Sequence, residues 1–249
     1  MQTSSVTADS IRQVLQALLH TDRYAPAEQG GIYRPSAQPI TRLGLALEPG
    51  PGLSRWVQAN GIDGLWLHRP WKLDESMLPP GLPVLFHHLP FDETLTMGDN
   101  RWLAEALGDA GPGSSIGQKQ GTADTGEPLP ARPLGRLVNV TPQPVDALID
   151  RLQNLFGGLD RVMPGQGALV GRLAIVGAMT DALVREASDR GAQLYLTGQY
   201  RAAAADAVAQ TGLTVVAAGH ERSERWGLTV LARLLGQALP ALRLVVSEG

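Results

Sequence analysis

From residue 134 onward, short apolar runs alternate with amphipathic stretches, and this alternation restricts the fold more than any other feature. The strand-like runs are LGRLVNV (134–140), RLAIVGAM (172–179), AQLYLTG (192–198) and LTVVAAG (213–219). Between them lie TPQPVDALIDRLQNLFGG, TDALVREASDRG and QYRAAAADAVAQTG, and a final amphipathic stretch follows His220. Strands separated by helix-length connections are the pattern of a layered α/β architecture, so a mostly parallel, helix-covered sheet is expected in this half.

The first half repeats the pattern less regularly. Residues 8–20 place Ile11, Val14, Leu15 and Leu18 at helical spacing, with Asp9 or Ser10 as the expected cap. Strands are expected at 43–47, 63–68 and 83–88, and helices at 53–61 and 97–108. Residues 109–133 are rich in Gly, Pro, Ser and Thr and read as loop. The expected organisation is therefore a first α/β lobe over 1–110, a linker over 111–133 and a second α/β region over 134–249. The last segment of that region can return to pack on the first lobe.

The chemistry is bounded by what is missing. The 249 residues contain no cysteine, which excludes disulfides, thiolate catalysis and thiolate metal sites. A metal must then be held by His, Asp or Glu, which suits zinc, iron or manganese. The net charge of −3 and the lack of a basic run argue against a nucleic-acid partner. No apolar run is long enough to cross a bilayer and no export signal opens the sequence, so the expectation is a cytoplasmic protein. No P-loop context surrounds GPGSSIG, and no GxSxG motif marks a serine nucleophile.

Ligands of open α/β sheets gather at the carboxyl ends of strands. Of the five histidines, His68, His87, His88 and His220 all fall at such ends. Asp92 follows His88 by four residues and Glu224 follows His220 by four, a spacing that aims two side chains the same way on a helix. Ser223 can cap the last helix, and Glu224 then also suits the positive end of the helix dipole. Each histidine taken alone is compatible with a structural role. Arg69, beside His68, is either a solvent-facing cation or an anion-binding group at the mouth of a site. His87 points away from His88 if both continue a strand.

GHERSERWGL (219–228), LALEPG with GLWLHRPW, HLPFDETLTMGDNRWLAEALG and AQLYLTGQYR together resemble the Nif-three-like dinuclear metal-binding proteins, also known as type-two GTP cyclohydrolase homologues. The resemblance covers roughly residues 43–240. It implies two α/β lobes with mixed sheets covered by helices, and a metal site at strand carboxyl ends between the lobes. It implies His68, Asp92, His220 and Glu224 as ligands of one or two divalent ions, zinc, iron or manganese. His88 matches a family histidine and is implied beside the site. In a hydrolase reading of these residues, Glu224 or Asp92 orients a metal-activated water and Arg69, with His88, binds the substrate. A homohexamer is implied, with a metal-dependent hydrolase acting on a nucleotide or another phosphate-bearing or cyclic substrate. The sequence departs from the family where a second histidine of a His-His pair is replaced by Arg69, and where a Thr-Gly-Glu turn carries Gln199. A guanidinium cannot coordinate a metal. One metal, a weakened second site, or an empty site with Arg69 as a surrogate charge all fit this pattern. The alternative to a hydrolase is then a non-catalytic metal-binding or scaffold protein with a degenerate metal site.

Overall fold

The computed structural model describes residues 6–109, 111 and 113–248. Its contacts divide the chain into two compact units. One comprises residues 6–91, 121–130 and 228–248, and the other residues 92–120 and 131–227, within the described range. No helix among the described residues is long and apolar enough to cross a membrane.

The first unit contains α1 (Ala8–Leu19), β1 (Gly31–Arg34), β2 (Arg42–Ala46), α2 (Leu53–Ala59), β3 (Gly64–Leu67), β4 (Val84–Phe86) and β11 (Arg243–Val246). The sheet order is β1-β4-β3-β2-β11. β2, β3, β4 and β11 run parallel, and β1 closes one edge antiparallel to β4. Alternation along β3 sorts its side chains. Leu65 and Leu67 join Val57 of α2, Ala46 and Val84 in one apolar cluster. Trp66 packs on the other face against Phe91. The cap of α1 is Thr7, with Ser10 completing a reciprocal capping box, rather than Asp9 or Ser10 as expected.

The second unit holds α4 (Arg101–Ala106), β5 (Ser114–Lys119), β6 (Arg132–Pro144), α5 (Val145–Phe156), β7 (Arg161–Met163), β8 (Leu169–Val176), α6 (Asp181–Asp189), β9 (Leu194–Thr197), α7 (Ala205–Thr211) and β10 (Thr214–Ala217). The sheet order is β5-β6-β8-β9-β10-β7. Both faces are covered. Leu173, Ile175, Leu194, Leu196 and Val216 pack with Leu103 of α4 and Leu148 and Leu152 of α5. Their strand neighbours Ala174, Val176, Tyr195 and Val215 pack with Val184 of α6 and Ala207 of α7. Two-sided burial is why these strands read as continuous apolar runs.

The expectation of a mostly parallel sheet is corrected here. Only β8-β9-β10 is parallel, while β5, β6 and β7 each pair antiparallel. The chain leaves β6 through α5, lines up β7 beside β10 and only then enters β8, so α5 is not a crossover between parallel neighbours. The loop expected over 109–133 contains β5, a polar edge strand pinned by Arg172 and Arg190, which both donate to Ser114 Oγ. Two helices crossing the division complete the fold, α3 (Leu89–Leu95) and α8 (His220–Ala238). α8 begins at His220, ahead of the expected cap: Ser223 N–H already donates to Gly219 O, and its hydroxyl donates to His220 O at 2.7 Å.

Candidate metal centre

His68 stands one residue past β3, in register with the sheet, because its N–H donates to Ala46 O on the neighbouring strand. The side chain is fully buried. Its Nδ1 lies 3.0 Å from His87 O, and a carbonyl only accepts, so Nδ1 carries the proton. The lone pair is thereby fixed on Nε2. An outer carbonyl that sets the tautomer and aims the opposite nitrogen is the usual support of a metal-ligating histidine.

The end of β4 separates two adjacent histidines. His87 is buried, and its Nδ1 accepts from Trp66 Nε1 at 3.2 Å. Burial lowers its pKa to about 3, so the ring stays neutral and the acceptor is preserved. Gly30, at φ +75°, lies under this strand end; a Cβ there would come within 2.4 Å of Phe86 O and 2.9 Å of His87 Cα. His88 takes the other direction, and its ring centre lies 4.9 Å from that of His68. Phe91 packs against both Trp66, at 5.1 Å, and the His68 ring, at 4.9 Å.

α3 follows immediately and carries Asp92. The ligand atoms of His68, His88 and Asp92 all lie within 4.8 Å of one another. Two imidazoles and a carboxylate suit a divalent transition metal, and the fixed His68 tautomer supplies the lone pair such an ion requires. Next along the helix, Glu93 accepts from the buried Arg132 Nε at 2.7 Å. This ion pair ties α3 to the start of β6.

The other residues singled out in the sequence lie as follows. His220 Nε2 and Glu224 Oε1 meet at 3.0 Å on one face of α8, with the carboxylate buried and the imidazole exposed. The i, i+4 relation is therefore realised within a regular helix. Arg69 NH1 contacts Glu48 Oε1 at 2.6 Å, so its charge faces a carboxylate at the end of the β2 loop. His88, expected to bind substrate, sits inside the donor cluster with His68 and Asp92. Three supporting groups escaped the sequence reading: Trp66, the Glu93–Arg132 pair and Glu48. Each acts across strands or helices, with no local spacing to reveal it.

The profile of the Duf34/NIF3 family (NGG1p interacting factor 3) matches residues 71–248. The chain belongs to this family. A relative from Neisseria meningitidis serogroup B, named GTP cyclohydrolase 1 type 2 homolog, is 28% identical over 164 residues, 65% of this chain and 61% of the relative. The match thus spans under two thirds of that relative's length. Among solved structures, the hypothetical protein SA1388 of Staphylococcus aureus aligns with a TM-score of 0.74 at 15% identity, covering 99% of this chain and 97% of that one. TTHA1606 from Thermus thermophilus aligns with a TM-score of 0.71 at 22% identity, covering 98% of each. At these identities the structures show a shared NIF3 fold of two α/β lobes with mixed sheets.

Proposed function

We propose that this NIF3-family chain binds a divalent metal, zinc, iron or manganese, through His68, His88 and Asp92, and acts as a cytoplasmic metal-dependent hydrolase on a phosphate-bearing or cyclic substrate such as a nucleotide. The observation that carries the reading is the donor cluster with the His68 tautomer held by His87 O. His220 and Glu224 are proposed as a second donor pair, one helical turn apart on α8. A bound divalent ion supplies Lewis acidity and brings the pKa of water to about 7. Asp92 and Glu224 then serve as the carboxylates that receive and direct a proton. Glu224 is suited to this by its burial and its contact with an imidazole. Arg69 would hold the anionic part of a substrate, in competition with Glu48. The name of the Neisseria relative, GTP cyclohydrolase 1 type 2 homolog, is compatible with a nucleotide substrate.

A second reading is favoured by one observation. Arg69, which stands where the resemblance expects another histidine, is neutralised by Glu48. A site so altered holds one ion and serves a non-catalytic metal-binding or scaffold role.

Elemental analysis of the purified chain and of His88→Gln and His220→Ala variants tests both readings. The expectation is bound metal in the wild type, loss on His88→Gln, and a smaller or equal loss on His220→Ala. Full metal content in His88→Gln removes the proposal. Metal without hydrolysis of any phosphate ester or cyclic nucleotide selects the second reading.

A further inference from the structure

The proposed centre carries an unexplained aromatic at its margin. Trp71 is 58% exposed, although tryptophan is a costly side chain to leave in water. It is nevertheless held in place. Its ring meets Phe86 at 5.5 Å and 76°, and His88 at 6.1 Å and 88°. Pro70 precedes it and restricts the backbone that presents it. A flat, wet, pre-positioned indole therefore abuts a histidine of the donor cluster, two residues after Arg69.

We infer that Trp71 is a stacking platform that selects substrates with a planar heteroaromatic ring. The ring would lie on the indole while the polar or anionic end of the same molecule reaches the His68–His88–Asp92 donors. The inference rests on the proposed metal-site reading and narrows its substrate class to nucleotide-like molecules. Stacking suits this position because it tolerates any flat ring and needs no hydrogen-bond partner from an exposed turn.

Calorimetry on the metal-loaded protein tests the inference, with guanosine 5′-monophosphate and ribose 5-phosphate as probes. The wild type is expected to bind the nucleotide more tightly than the ring-free sugar phosphate. Trp71→Ala should weaken the nucleotide roughly tenfold and leave ribose 5-phosphate unchanged. Trp71→Phe should retain most of the nucleotide affinity, and nucleotide quenching of tryptophan emission should vanish in Trp71→Ala. Equal affinity of the wild type for the two probes overturns the inference. So does an absence of nucleotide binding, or unchanged nucleotide affinity in Trp71→Ala. A drop in assembly mass on Trp71→Ala with nucleotide affinity intact assigns the residue to a contact between copies and also overturns it. Metal content, measured on each sample, separates failure of the ring platform from failure of the metal site.

Discussion

Single buried polar groups show how this molecule uses alternation along a strand. Tyr195 lies on β9 among the apolar residues beneath α6 and α7, and its hydroxyl donates to Ala178 O at 2.6 Å. Burial, and then the negative charge of Glu186, raise its pKa well above the ordinary tyrosine value. The raised group is neutral in the folded state, while the unfolded chain loses the proton near pH 10. Its contribution to stability is therefore complete below about pH 10 and declines as pH rises beyond that. Tyr195→Phe should cost about 1 kcal/mol at neutral pH and flatten the alkaline decline, as read by urea denaturation between pH 7 and 11. His87 is the mirror case, with a pKa pushed down to about 3 so that the ring remains an acceptor for Trp66.

At the scale of elements, the decisive piece is α3, a helix of two turns. It starts with Leu89-Pro90, which suits a first helical turn, and it brings Asp92 to the histidines. Glu93 anchors it through Arg132. Removing one partner of a buried ion pair typically costs about 3 kcal/mol or more. Glu93→Gln should lower the denaturation midpoint accordingly and weaken metal retention, measured by competition with a chromophoric chelator. Unchanged metal affinity in a folded Glu93→Gln protein would show that α3 is positioned by other contacts. The sequence foretold the elements whose pattern is local. β2, β3, β8, β9 and β10 are apolar runs, and α1, α5 and α6 carry a clear helical stripe. It hid those whose stability comes from distant partners. β5 is polar and edge-bound, β7 has three residues, and β11 needs β2 beside it. α3 was hidden because HHLPFD reads as a strand end running into a loop. His68, His88 and Asp92 were each legible as candidates because strand ends and i, i+4 spacing are local signals, but which residues meet was not. The His68–His87 carbonyl contact and the Glu93–Arg132 pair were not, because both join residues far apart in sequence.

For the whole molecule, the resemblance to NIF3 proteins makes assembly the first thing to measure. The chain mass is 26.5 kDa, and the hexamer that the resemblance implies predicts a light-scattering mass six times larger. A monomer at micromolar concentration would rule that hexamer out without touching the donor cluster, which comes from one chain. The division into units is unusual in its path. The first unit takes residues from both ends of the chain, and β11 is placed against β2 across roughly two hundred residues. Such a pairing carries a large loop-closure cost and is favoured only once the intervening structure brings its ends together.

The placement of β11 also has a meaning for biosynthesis. During translation β2 leaves the ribosome roughly two hundred residues ahead of β11, the strand that flanks it. Until β11 emerges, that edge of β2 exposes unpaired backbone groups to the crowded cell, the situation in which a nascent polypeptide most needs a chaperone.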